Sequence, residues 1–159
     1  MKVLYIVRGL SGSGKSSLAK EIVNPIWCSD RKSFFKDVYS ADDYFTDEQG
    51  NYNFSPEFLA DAHADCFSKV ELAMTKDILK VVVANTFSQS WEAEPYFKLA
   101  KKYDYSSFVV ECQNTFDNVH EVPQETIEAM RGRWETNLIK PTKERGFPVG
   151  EVDFGTSME

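Results

Sequence analysis

An apolar, strand-like run, Val3-Leu4-Tyr5-Ile6-Val7, leads directly into Gly9-Leu10-Ser11-Gly12-Ser13-Gly14-Lys15-Ser16, which fits G-x-x-x-x-G-K-[ST], and a helical pattern follows. A buried-type strand feeding a glycine-rich turn and then a helix restricts the fold sharply, because together they form a cradle for nucleotide phosphates. Gly9, Gly12 and Gly14 open backbone conformations closed to residues with a Cβ, so that the N–H groups of the turn, those of Ser11 and Ser13 among them, crowd around phosphate oxygens. The helix beginning near Lys15 points its positive end at the same anion. In this reading Lys15 reaches the β- and γ-phosphates, the Ser16 hydroxyl coordinates Mg²⁺, and Ser17 adds a hydroxyl to a neighbouring phosphate. The plain alternative, a glycine-rich turn without a ligand, leaves Lys15 and Ser16 with no evident packing purpose.

The rest of the chain alternates strand-like and helix-like segments, as a parallel α/β sheet requires. The pattern predicts a strand over 2–8, a helix from Lys15 to Val23 ended by Pro25, and a polar, aromatic loop over Trp27 to Lys36. A second strand is predicted from Phe35 to Ser40, then an exposed loop over 46–54. Ser55-Pro56-Glu57 reads as a helix start, with Phe58, Leu59, Ala62, Cys66, Val70 and Ala73 as one apolar face and a close over Thr75 to Leu79. Lys80 to Ala84 reads as a central strand, Trp91 to Tyr103 as a helix, Ser107 to Cys112 as a strand and Gln124 to Asn137 as a helix. Residues 140–159 read as largely irregular, with room for a short strand around Val152 to Phe154. At 159 residues and 42% hydrophobic, the chain suits one domain, 1–159, with a real core.

A net charge of −7 argues against strong non-specific binding to a phosphate backbone, while leaving room for a local basic groove. Cys28, Cys66 and Cys112 form no C-x-x-C pair and read as reduced thiols; with no membrane-length apolar run and no signal-type N-terminus, a soluble cytoplasmic protein is expected. Two histidines without metal-type cysteine spacing argue against structural zinc.

Parallel α/β sheets bind ligands beyond the carboxyl ends of their strands. Three polar clusters meet there on this reading: the phosphate loop, Asp42-Asp43 and Asn85-Thr86. Transfer of a γ-phosphoryl group to a hydroxyl needs a carboxylate at the acceptor oxygen, which Asp42 or Asp43 can supply; holding a metal-bound water or capping a turn are the other uses.

Val7 to Ser16, Ser40 to Phe45, Ala62 to Phe67, Val81 to Thr86, Trp91-Glu92 with Pro95-Tyr96, and Asn118 to Pro123 together resemble, in order and spacing, the P-loop polynucleotide 5′-kinase family and its kinase-like relatives, which include the bacteriophage end-healing kinase. The resemblance implies an α/β, three-layer P-loop NTPase fold with a short, mostly parallel central sheet, and ATP with Mg²⁺ as cofactors. It matches Lys15 and Ser16 to the phosphate-binding lysine and the Mg²⁺-side hydroxyl, and Asp42 to the general base on an acceptor 5′-hydroxyl. Asn85 and Thr86 match residues that arrange acceptor and base, and Gln113 to Val122 matches a lid over the phosphates. Phe45 stands where the end-healing kinases have an arginine that grips an acceptor phosphate, Phe87 where Asn is frequent, and Glu121 where Gly is frequent. The lid carries no arginine between Asn114 and His120, so Arg131 or Arg133 is expected to take that role.

Tyr39, Tyr44, Phe45 and Tyr52 cluster on the acceptor side, for base stacking or for packing, and His120 is a candidate phosphate or substrate contact. His63 is expected to bond locally, Trp27, Trp91 and Trp134 to pack, and Arg8 to pair with an acid. The favoured function is phosphorylation of the 5′-hydroxyl of a nucleic-acid end. A nucleoside, another small metabolite or a hydroxymethylated DNA base is the alternative acceptor, and an ATP-binding switch with little turnover is the reading from another class.

Overall fold

The structure, a computed structural model, describes residues 1–23, 38–115 and 122–138. Several expectations lie outside them: the helix stop at Pro25, the loop with Trp27 and Cys28, the strand start at Phe35, the lid segment with His120 and Glu121, and everything past Leu138.

The described chain runs β1 (Val3–Arg8), α1 (Lys15–Val23), β2 (Val38–Tyr39), α2 (Leu59–Thr75), β3 (Lys80–Asn85), α3 (Ser90–Tyr103), β4 (Ser106–Glu111) and α4 (Gln124–Gly132). Two short 3-10 turns, Ala41–Phe45 and Pro56–Phe58, lie between β2 and α2. The sheet order is β2-β3-β1-β4 and every pairing is parallel, with Val3 opposite Lys80 and Ser106, and Val38 opposite Val82.

Alternation along the central strands explains the layers. Leu4, Ile6, Val81 and Val83 point to the face covered by α2 and α3, where they meet Cys66, Val70, Ala73, Tyr96 and Ala100. Val7, Val82 and Ala84 point the other way, against Ala19 and Val23 of α1. A sheet buried on both faces favours an unbroken apolar run over strict alternation, which is why β3 carries Val81-Val82-Val83-Ala84 in succession.

α2 buries Ala62, Cys66, Val70, Ala73 and Met74 at helical spacing. Phe58 and Leu59, expected to begin that face, are instead exposed. For Phe58 the reason is local: Pro56–Phe58 is a separate 3-10 turn, whose tighter winding sets its side chains out of line with the helix after it, which begins at Leu59. α4 ends at Gly132 rather than near Asn137, because the chain turns there to carry Trp134 and Leu138 back toward the sheet. No described helix is long and apolar enough to cross a membrane.

The order places the site. The connection from β1 leaves toward β2, and that from β3 leaves toward β4. β1 and β3 are neighbours, so the sheet's switch point, where α/β folds open a crevice, lies between their carboxyl ends.

Candidate active site

At the end of β1 the chain turns tightly. Gly9 N–H donates to the Thr86 carbonyl at 3.3 Å, Ser13 N–H to Leu10 at 3.2 Å, and Leu18 N–H to Gly14 at 3.0 Å, where α1 begins. Gly12 and Gly14 take φ of 76° and 85°, the left-handed region that a side chain disfavours. A Cβ on Gly9 would run into the Ser13 hydroxyl and the Cys112 carbonyl.

The residues of this loop fit a polyphosphate. The Ser13 hydroxyl is buried without a hydrogen-bond partner, a polar atom facing a cradle of amides. The first turn of α1 carries no acid, and Ser16 and Ser17 stand exposed on it. Lys15 donates its ammonium to the Leu10 carbonyl of its own loop at 2.8 Å. Burial lowers the Lys15 pKa, while Asp42 and Cys112 pull it back up. Amides, hydroxyls and one ammonium are the donor set for phosphate and a hard divalent cation, with Ser16 as the hydroxyl that would hold Mg²⁺.

β2 delivers the carboxylates. Asp43 closes a capping box: its Oδ2 accepts from Ser40 N–H at 3.1 Å, while the Ser40 hydroxyl accepts from Asp42 N–H at 3.2 Å. The Asp43 carboxylate thus caps the turn, the plain use open to either acid. Asp42 is exposed; its Oδ1 accepts from the Tyr52 hydroxyl at 3.2 Å, and its carbonyl from Thr46 at 2.9 Å.

β3 ties both loops together. The buried Asn85 accepts at Oδ1 from Ala41 N–H at 2.9 Å and from the Ser40 hydroxyl at 3.4 Å, and its Nδ2 reaches the Cys66 sulfur at 3.7 Å. Its neighbour Thr86 holds Gly9 through the main chain. Asn85 is therefore spent on bracing the turn that carries Asp42. Phe87, next along, has a φ of 46°, strain of about 1–3 kcal/mol for a bulky residue, with its ring buried edge-on to Tyr96. That conformation suits asparagine better than a bulky side chain.

The structure decides among the uses left open for the acceptor-side aromatics and corrects the expectation for Trp91. Phe45 is 6% exposed and packs with Ala41 and Ala62, so its ring has no open face for a base. The exposed rings of that segment are Tyr44 at 45% and Phe54 at 50%. Trp91, expected to pack, is 64% exposed in the first turn of α3. Tyr39 packs against the main core, and His63 is exposed on α2.

The arginines divide. Arg8 is 1% exposed, bonded to Glu111 at 3.1 Å and Ser88 O at 3.5 Å, with its guanidinium 3.9 Å over the Trp134 ring. Burial lowers its pKa against the pull of Glu111, Glu92 and Glu135. Arg133 donates from Nε to the Ser88 hydroxyl at 3.1 Å, which holds it at the exit of β3, and Arg131 is exposed on the last turn of α4. The Arg8–Trp134 contact spans most of the chain and leaves no local signature in the sequence.

Residues 4–121 match the AAA domain family AAA_33. NEDD4-binding protein 2 of Homo sapiens is 33% identical over 148 residues, 87% of this chain but 8% of that protein. Two solved structures share the fold. A candidate kinase from Chloroflexus aurantiacus has a TM-score of 0.52 and 14% identity, over 70% of this chain and 59% of that one. A chain of the Pnkp1/Rnl/Hen1 complex has a TM-score of 0.50 and 19% identity, over 91% and 43%. The chain thus spans only a small part of the human relative and about half of each of these two structures.

Proposed function

The chain belongs to the AAA domain family AAA_33, and from that premise we propose that it is an ATP-dependent kinase that moves the γ-phosphoryl group onto a hydroxyl. Its kinase-like P-loop fold supports nucleotide-dependent phosphotransfer in general. The observation that carries the proposal is the placement of Lys15 and Asp42: they come from the loops that follow β1 and β2, the Asp42 charge acts on the Lys15 ammonium, and their loops are held by Thr86, just past β3, through Gly9 and by Asn85, its last residue, through Ala41.

The amides of Gly9 to Ser17 and the Lys15 ammonium grip the triphosphate and take up the negative charge that moves to the β–γ bridging oxygen. Mg²⁺, when bound at Ser16, neutralises phosphate charge and fixes its geometry. Asp42 orients the acceptor hydroxyl and accepts its proton as the new P–O bond forms and ADP departs.

The proposed acceptor is the 5′-hydroxyl of a nucleic-acid end. The family resemblance supports it, and so do the exposed rings of Tyr44 and Phe54 beside Asp42, surfaces on which a base can stack. One observation favours a nucleoside instead: residues 40–58 hold Asp42, Asp43, Asp47, Glu48 and Glu57 and no lysine or arginine, which repels a chain of phosphates. Incubation with γ-labelled ATP and either a 5′-hydroxyl oligodeoxynucleotide or free nucleosides separates the two. Label on the oligonucleotide upholds the proposal, label on nucleosides alone replaces the acceptor, and label on neither refutes it. Activity should vanish in Lys15→Ala and in Asp42→Ala.

A further inference from the structure

A carboxylate on a short, exposed turn samples several rotamers, and a general base has to hold one of its oxygens toward the proton it takes. At Asp42 one oxygen is already engaged, by the Tyr52 hydroxyl. Tyr52 is returned to Asp42 by a built reversal of the chain. Thr46 and Tyr52 pair as an antiparallel bridge, and Asn53 N–H donates to the Phe45 carbonyl at 2.8 Å. Between them the Asp47 carboxylate accepts from the amides of Gln49 and Asn51 and from the Asn51 side chain, while Gly50 turns the chain with a φ of 86°. The Tyr52 ring lies edge-on to Phe45 and nearly parallel to Phe54.

From this geometry we infer that Tyr52 is a positioning residue for the reaction: its hydroxyl pins Oδ1 of Asp42, leaving Oδ2 to meet the acceptor hydroxyl. The inference rests on the reading of Asp42 as the base. Burial, and then the Asp42 charge, raise the pKa of Tyr52, so the phenol keeps its proton and remains a donor wherever the enzyme works. Among the described residues, the Lys15 ammonium of α1 feels the Asp42 charge, and Asp43 stands next to Asp42 on the same turn, where its carboxylate accepts from Ser40 N–H. On α2, packed beneath, Asp65 and Lys69 pair with each other at 2.6 Å, and the Cys66 thiol is engaged by Asn85 and Tyr96.

Tyr52→Phe removes one oxygen and keeps the ring that packs on Phe45 and Phe54, so near-UV circular dichroism and melting should show a folded protein. Transfer is measured with γ-labelled ATP and a 5′-hydroxyl oligodeoxynucleotide, thymidine or guanosine as acceptor. kcat should fall about 10-fold while KM for ATP stays unchanged, since the carboxylate that the Tyr52 hydroxyl engages belongs to the acceptor side. A wild-type kcat in Tyr52→Phe, or a KM for ATP that rises as kcat falls, would overturn the inference. Asp42→Asn separates the two claims: full transfer by that variant removes Asp42 as the base, and the inference with it, while the kinase stands, whereas no transfer to any acceptor by the wild type removes the proposed function as well.

Discussion

Lys15 keeps its charge against burial, and that has a consequence for nucleotide binding. Its folded-state pKa lies below the usual 10.5, so in the alkaline window beneath 10.5 the free protein has lost part of a proton that the unfolded chain still holds. Stability of the nucleotide-free protein therefore rises with pH through that window. A bound triphosphate favours the ammonium and raises its pKa, so the complex holds more protons than the free protein there. Nucleotide affinity should accordingly fall as pH rises through the window, with proton uptake on binding. Calorimetry in two buffers of different ionisation enthalpy measures that uptake, and proton release would contradict it. Asn85 gives a second prediction at this scale. Asn85→Ala leaves the Ala41 amide without its partner, a cost of about 1–3 kcal/mol in thermal unfolding, and frees the turn under Asp42, so kcat should drop while ATP affinity holds.

Among the elements, the segment between β2 and α2 separates what the sequence shows from what it hides. The strand, glycine turn and helix from Val3 to Val23 were legible because each local signal agrees with the next, and α1 has the predicted bounds, Lys15–Val23. Asp42 was legible as an acid just past a strand. That Asp43 caps and Asp42 faces solvent was not, since the capping box is decided by which carboxylate meets Ser40 N–H, a matter of three-dimensional path. Phe45 and Tyr44 are adjacent aromatic residues of equal standing in the sequence; only the 3-10 turn sends one inward and the other out. Their substitutions should behave oppositely. Phe45→Ala should cost about 3 kcal/mol in chemical unfolding. Tyr44→Ala should change stability by less than about 0.5 kcal/mol and instead raise KM for a base-bearing acceptor.

For the molecule as a whole, the far end of the described chain closes back on its beginning. Trp134 covers the Arg8 guanidinium, Glu135 N–H donates to Ser88 O at 2.8 Å, the Glu135 carboxylate accepts from Ser90 N–H at 3.2 Å, and Leu138 enters the main core. Arg8 precedes the phosphate loop directly, so this closure bears on the loop's foundation. Trp134→Ala should destabilise the protein by about 2 kcal/mol, from the lost cation–π contact and the exposure of a buried charge, read as a lower melting temperature. The parallel order of the sheet follows from the alternation of segments, whereas the Arg8–Trp134 contact depends on chain ends that meet only after folding.

Because adjacent residues at the end of one strand, Asn85 through its side chain and Thr86, just past it, through its carbonyl, fasten the acceptor turn and the donor loop, the gap between the two reactants is yoked to a rigid beam. Such a machine cannot be retuned for a bulkier or slimmer recipient by sliding its base aside. New recipients have to be fitted by redecorating the rim at Tyr44 and Phe54, with the chemistry beneath kept unaltered.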